Sequence, residues 1–413
     1  MDVFVARQPI YERSLKVYAY ELLFRQRAAA NAQVFDGNAA TSSVIANGMF
    51  LIGARSLLGG RPAFINFTED LLLTDIPSIL PPRELIVEVL ETVSATAETI
   101  NACRKLKTQG YLLALDDFTG RGENGALADL ADIIKVDFLQ TTTAEQEWIA
   151  KTYGKRKLLL AEKVETIQDF EQAHRMGYAY FQGYFLARPQ IIESRQIPPL
   201  KINYLRLLDE IRQPEIDYHR IATLIGSDVS LSYNFLRYMG SAAFSFSRTI
   251  VSVRQGLSLL GDAGVRKWVA VIVLANLAMH KPRELMVTAL VRGRLCELVA
   301  PKAGMEHRKS ELFLMGLFSL LDAILERPMK TLLEEMPLAA DVRSALLGEP
   351  SNSPIARLHC LLEAYERGQW DVAARLSARL GISETALAAL YLDAVRWAEG
   401  SGIRHARTTP VTR

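Results

Sequence analysis

The chain has 413 residues, 49% of them hydrophobic and 23% charged, which excludes a disordered or low-complexity polypeptide and leaves room for two or three packed domains. Forty-eight basic and 46 acidic side chains nearly cancel, so no whole-molecule field draws the protein to nucleic acid or to an anionic membrane. An anionic ligand therefore has to be held by charge gathered at one site. Cys103, Cys296 and Cys360 are isolated and show no CxxC spacing; they suggest neither a disulfide framework nor a zinc finger, and they fit a reducing, cytoplasmic location.

The N-terminal stretch "MDVFVARQPIYERS" lacks a long apolar run, and no secretory leader is expected from it. Up to about residue 195, eight β-rich runs follow one another: "DVFVARQPI", "KVYAYELLF", "PAFINF", "ELIVEVLE", "YLLALDDF", "DIIKVDF", "KLLLAE" and "YFQGYFLA". Helical spacing separates some of them. Ile100, Cys103 and Leu106 recur before a stop at Gly110, and Ile167, Phe170 and Ala173 recur before Gly177. Strand and helix in alternation predict a parallel sheet, and eight strands within this length favour a closed α/β barrel of the TIM type over an open sheet.

The Pro-rich "ARPQIIESRQIPP" (187–199) marks a change of composition, and a domain boundary is placed at 197. Residues 198–400 then read as all-α, with apolar periodicity in "SLSYNFLRYM" and "ELFLMGLFSLLDAIL". The run "VRKWVAVIVLANLAMHK" is bracketed by charge and too short to span a bilayer, so it is read as a buried helix with no membrane role. Residues 401–413 are expected to form a polar, mobile tail.

Strands buried on both faces should be continuously apolar, yet nearly every run here ends in a polar residue. These are Glu21, Asn66, Glu88, Asp116 with Asp117, Lys135 with Asp137, Glu162 and Gln182. Lys135 and Asp137 are two apart and share a face. Asp116 and Asp117 are adjacent and would normally diverge, so they can serve one site only where the strand gives way to a loop. Singly, each residue has a bland explanation as a turn, a salt bridge or a satisfied hydrogen-bonder. Jointly they form a ring of oxygen donors around one basic residue, which divalent cations would make tolerable. Two such ions about 3.5–4 Å apart suit in-line displacement at phosphorus. No GxGxxG or Walker-type loop follows any strand, which weakens an open-sheet nucleotide-binding alternative.

The ordered set "RQPI", "ELLFR", "INF", "EVLE", "DDF", "IKVD", "AEKVE" and "QGYFLARP" resembles the EAL domain of cyclic-di-GMP phosphodiesterases over about residues 1–195. The resemblance implies a barrel that hydrolyses cyclic di-GMP to linear pGpG with two Mg²⁺ or Mn²⁺ ions. By motif, Glu21, Asn66, Glu88, Asp116 and Asp117 would ligate metal, Glu162 would act as general base and Lys135 would stabilise the site. Gln8, Arg25 and Gln182 would contact or orient the ligand, and Glu91, Asp137 and Glu165 would support. The chain departs from the family pattern at Leu22, at Leu90, at Lys163 in place of Gly, and in the loop "DDFTGRGENGAL".

Residues 224–261 resemble the HDOD domain, a helical relative of HD phosphohydrolases. The His-Asp pair of those enzymes is missing: no His-Asp dipeptide occurs, "LMGLFSLLDAI" (314–324) offers Ser319 and Leu320 at its place, and His280 and His307 have no ligand set in sequence. The helical half is thus expected to be non-catalytic and metal-free and to engage a protein partner, with a homodimer left open. Two outputs stay open for the barrel, hydrolysis or a catalytically silent cyclic-di-GMP receptor or scaffold.

Overall fold

The computed structural model describes residues 3–26, 58–74, 76–120, 125–187, 199–213, 215–227, 229–239, 252–278, 281–334 and 338–400. His280, residues 401–413 and most of the 187–199 stretch lie outside them. The chain divides into two compact units, one of residues 1–188 with 357–400 and one of residues 189–356 with 401–413.

The first unit is a closed barrel of eight strands in chain order. They are β1 (Val3–Glu12), β2 (Val17–Gln26), β3 (Ala63–Phe67), β4 (Leu85–Val89), β5 (Leu112–Leu115), β6 (Ile133–Asp137), β7 (Leu158–Glu162) and β8 (Tyr180–Gln182). From β2 to β8 all neighbours are parallel, but β1 runs antiparallel to both β2 and β8. The departure from an all-parallel sheet follows from the connection. The few residues between Glu12 and Val17 form a tight hairpin, closed by Leu15 N–H donating to Glu12 O (2.9 Å) and by Leu15 at φ 60°; a parallel crossover needs about a dozen residues or more.

The helices that alternate with these strands are α1 (Ala97–Thr108), α2 (Gly125–Leu130), α3 (Thr143–Tyr153) and α4 (Ile167–Met176). Thr142 with Glu145 and Thr166 with Asp169 form capping boxes at the starts of α3 and α4. Gly110 and Gly177, the predicted stops, lie just past α1 and α4 with φ of 92° and 97°.

Inside the barrel, Ile10, Ala19, Phe64, Ile86, Ala114, Ile133 and Leu160 make one apolar layer, one residue from each of seven strands. Stacked Tyr18 and Tyr180, 4.3 Å between centroids, pack against it. Side chains two apart share a face, so the next inward position along each parallel strand forms a second layer. That layer is Glu21, Asn66, Glu88, Asp116, Lys135, Glu162 and Gln182, together with Gln8, which comes two residues before Ile10 because β1 is reversed.

The same unit is completed by helices near the end of the chain: α14 (Pro354–Glu366), α15 (Trp370–Arg379) and α16 (Glu384–Gly400), numbered after the described helices of the other unit. Arg7, with 4% of its side chain exposed, pairs with Glu399 at 2.9 Å and lies 4.3 Å over the Tyr20 ring. Tyr365 OH donates to Val5 O at 3.4 Å and its ring packs edge-on to Trp370. A single helical domain over 198–400 is therefore not how the units divide, since 357–400 pack with the barrel.

The second unit is helical: α5 (Pro199–Arg212), α6 (Tyr218–Gly226), α7 (Val229–Met239), α8 (Val253–Leu277), α9 (Arg283–Lys302), α10 (Lys309–Phe318), α11 (Leu321–Leu325), α12 (Met329–Glu334) and α13 (Ala340–Leu346). The charge-bracketed apolar run forms the second half of α8, kinked at Gly261. No described helix is long and apolar enough to cross a membrane. Helices α9 and α10 approach so closely at Gly316 that a Cβ there would collide with the Arg292 carbonyl.

One backbone position tests the barrel. Gly183, just after β8, has φ 149°, and a Cβ there would overlap the backbone of Val164. Gly183→Ala is expected to cost about 1–3 kcal/mol and lower the thermal midpoint. Gly125→Ala, at an open helix start, should leave the midpoint unchanged or raise it.

Candidate active site

The second inward layer converges on one ammonium. Lys135, 1% exposed, points its Nζ at Glu162 Oε1 (2.6 Å), Asp116 Oδ1 (2.9 Å) and Glu21 Oε2 (3.8 Å), and it also pairs with Glu88. Four carboxyl groups thus face one fixed positive charge. Amide groups hold the rim: Gln182 Nε2 donates to Glu21 Oε2 at 2.6 Å and to Gln8 Oε1 at 3.0 Å, and Asn66 Nδ2 lies 3.4 Å from Glu21 Oε1.

The aspartate pair closes β5 as the loop geometry requires. Asp116 N–H still donates to Val89 O at 2.9 Å, so its side chain keeps the inward register. Asp117 then takes φ 41°, a left-handed conformation that L residues seldom adopt, and this turn of the backbone brings its carboxylate back beside its neighbour. Oxygens of Glu91, Asp116 and Asp117 fall within 4.8 Å of one another, as do oxygens of Glu21, Glu88 and Glu162. Among the described residues both such groups lie in the barrel.

Other expected residues are placed differently. Asp137, 3% exposed, accepts from Leu139 N–H (2.7 Å) and Gln140 N–H (3.0 Å) and so caps the turn after β6. Glu165 is half-buried and belongs to neither carboxylate group. Gln8 Nε2 donates to the backbone carbonyl of Glu366 at 3.1 Å, so both ends of its amide are engaged within the protein. The side chain of Arg25 and residues 121–124 of the "DDFTGRGENGAL" loop lie outside the described residues; the Arg25 backbone pairs with Phe4 across the hairpin.

Lys163, a departure from the family pattern, also stands at the site. At φ 52° it occupies a conformation that suits glycine, and its ammonium pairs with Asp137 and stands 3.8 Å from Asp117 Oδ1. The only signal in the sequence is the lysine of "AEKVE" itself. Glu366 gave none, being 358 residues from Gln8.

Electrostatics follow from burial and crowding. Burial pushes the Glu162 carboxyl up to about 8 against the pull of Lys135, and burial with three neighbouring carboxylates raises Glu88 well above the usual range. Burial opposes ionisation of Asp116, but the charge and hydrogen bond of Lys135 outweigh it and hold that carboxyl low. Burial and the charge of Asp116 raise Asp117. Burial works against the Lys135 charge too, yet the four carboxylates prevail and keep it protonated. Glu88 Oε2 is buried and accepts no hydrogen bond. An orphaned buried carboxylate oxygen among hard oxygen donors is a chemical fit for a divalent cation.

The raised Glu162 carboxyl has a measurable consequence. Its proton is held more tightly in the folded than in the unfolded chain, so the stability it contributes is fully present below about 4.5, the unfolded value, and is lost as pH rises through about 8. In chelator-treated protein the thermal midpoint is expected to fall as pH rises between those two values. Glu162→Gln should flatten that slope; an unchanged slope would remove Glu162 as its source.

Two domain families match the chain, the EAL domain over residues 49–189 and the HDOD domain over residues 197–375. The EAL match begins after β2, so the strands carrying Gln8 and Glu21 lie before it. The uncharacterized protein YuxH of Bacillus subtilis is 36% identical over 96% of this chain and 98% of its own length. The cyclic di-GMP phosphodiesterase CdgJ of Vibrio cholerae is 33% identical over 96% of this chain and 92% of its own. The crystal structure of the Bacillus subtilis YkuI protein, with an EAL domain, in complex with c-di-GMP and calcium, is 18% identical with a TM-score of 0.37 over 55% of this chain and 72% of that one. With an EAL match followed by an HDOD match and relatives above 30% identity over more than nine-tenths of their length, the chain belongs to the family of proteins that join an EAL domain to an HDOD domain.

Proposed function

We propose that the barrel is a metal-dependent phosphodiesterase that opens one phosphodiester of cyclic di-GMP to give linear pGpG. The observation that carries this reading is the inward layer itself, in which four carboxyls, three amides and one lysine stand on one face directly above an apolar floor. The relative CdgJ, a cyclic di-GMP phosphodiesterase 33% identical over 92% of its length, supports the substrate.

In this proposal Glu21, Asn66, Glu88 and Asp116 hold one Mg²⁺ or Mn²⁺, and Asp116 with Asp117 holds a second, with Glu91 beside them. Bound cations supply an acidified water and polarise the phosphoryl oxygens. Glu162 takes the proton of the attacking water in its ionised form, which cations bound beside it would favour over the proton that burial otherwise holds there. Lys135 stays charged and offsets the negative charge that gathers on the phosphoryl group. Arg25 recognises a phosphate oxygen pair through its planar fork. The helical unit, lacking a His-Asp pair, is assigned a protein partner rather than a reaction.

One observation favours the second reading, a receptor that binds without turnover. The Lys163 ammonium lies beside Asp117, where it competes with a second cation for the same carboxylate.

Incubation of purified protein with cyclic di-GMP and Mn²⁺ or Mg²⁺ separates the two. Hydrolysis predicts the linear dinucleotide, its loss in Asp116→Asn and Asp117→Asn, and a rate lowered about 10²–10⁴-fold in Glu162→Gln with ligand binding retained. Binding without product in both metals would establish the receptor. Arg25→Ala is expected to weaken dinucleotide affinity at least about tenfold, consistent with a charge-assisted hydrogen bond of roughly 1.5–3 kcal/mol, as read by calorimetry. An unchanged dissociation constant would place the ligand elsewhere.

A further inference from the structure

Residues near the end of the chain reach the polar layer at the Glu366 carbonyl. The carbonyl of Glu366, the last residue of α14, accepts from Gln8 Nε2 at 3.1 Å. Gln8 Oε1 accepts from Gln182 Nε2 at 3.0 Å, and the same Nε2 donates to Glu21 Oε2 at 2.6 Å. The polarity of this sequence is forced. A backbone carbonyl only accepts, so Gln8 must turn its nitrogen toward Glu366 and its oxygen toward Gln182. Gln182 must then offer its nitrogen to Gln8 and to Glu21 together, which leaves its own oxygen buried without a hydrogen bond. A dangling buried amide oxygen is costly, and its presence shows how fully both N–H groups of Gln182 are committed.

Glu366 is itself held in place. The chain reverses just after it at Gly368, φ 66°, whose N–H donates to Tyr365 O at 3.1 Å. A Cβ at Gly368 would stand 2.8 Å from Leu23 Cδ1, so this turn is seated directly on β2. Tyr365 OH reaches Val5 O on β1, and further along the buried Arg7 pairs with Glu399 of α16.

We propose that the C-terminal helices are a positioning element of the metal centre. Through Gln8 and Gln182, the Glu366 carbonyl sets the orientation of the Glu21 carboxylate, so that a candidate metal ligand on the second strand is aimed by residues from the far end of the chain. The inference rests on the reading of Glu21 as a metal ligand. Groups that orient a ligand through hydrogen bonds typically alter metal affinity 10–100-fold when removed.

The test is a double-mutant cycle on full-length protein, with Mn²⁺ affinity measured by calorimetry and thermal midpoints recorded in parallel. Gln8→Leu removes the amide link, and Gly368→Ala displaces the turn that carries Glu366. Each is expected to weaken Mn²⁺ binding about tenfold, and the double variant no more than either alone, because both cut the same relay. Should Gly368→Ala fail to fold, Glu399→Gln, which loosens α16 from Arg7, takes its place in the cycle. Thermal midpoints, recorded in parallel, show that each variant is folded at the temperature of the binding measurement. Additive losses of Mn²⁺ affinity, or an unchanged affinity in Gln8→Leu, would overturn the proposal while leaving the metal reading intact. A wild-type protein that binds no Mn²⁺ would overturn both, and that measurement comes first.

Discussion

A nearly inaccessible ammonium facing four carboxyl groups is the constraint around which the barrel is organised. Parallel strands in register bring their inward side chains to common heights, so the interior changes character in a single two-residue step, from Ile133 to Lys135 and from Ile86 to Glu88. The apolar floor keeps water from entering below, and every charge in the upper layer bears a desolvation cost. Lys135 discharges part of the cluster, the amides of Gln182 and Asn66 another part, and protons held by Glu88 and Glu162 the remainder. Protons that are held against crowding are protons a stronger cation can displace, which links metal occupancy to pH.

Much of this was legible because buried parallel strands ought to be apolar, so each polar residue at the end of a run stood out. The eight runs, the two glycine stops and the polar residue closing each strand could be read without any long-range contact. Asp116 and Asp117 needed one more fact, the left-handed turn at Asp117, which a sequence of two identical acids does not display. The reversed direction of β1 was within reach, since only four residues separate its end from β2. Gln8 falls in the polar layer only once that reversal is recognised.

What could not be read depends on contacts across hundreds of residues. Helical periodicity reports that a helix has a buried face but not what covers it, so α14–α16 looked like a continuation of the helical domain. Arg7 and Glu399 show the difficulty: neither neighbourhood predicts the other. In the helical unit, Ser319 is held entirely by its neighbours. There it accepts from Arg292 at 3.0 Å and donates to Gly316 O at 2.8 Å, so its polar capacity serves the close crossing of α9 and α10.

The division of the chain also bears on how it is made. The barrel unit is interrupted by residues 189–356, so a ribosome completes all eight strands well before it delivers α15 and α16. At about 5–20 residues per second, roughly 10–40 s of synthesis separate the two. Through that interval the outer surface of β1 awaits its cover, with Arg7 lacking Glu399 and Val5 lacking Tyr365, while the inserted helical unit is free to fold first. The nascent barrel is thus the stage at which the outer face of β1 is most exposed, and the stage at which a chaperone would find its substrate.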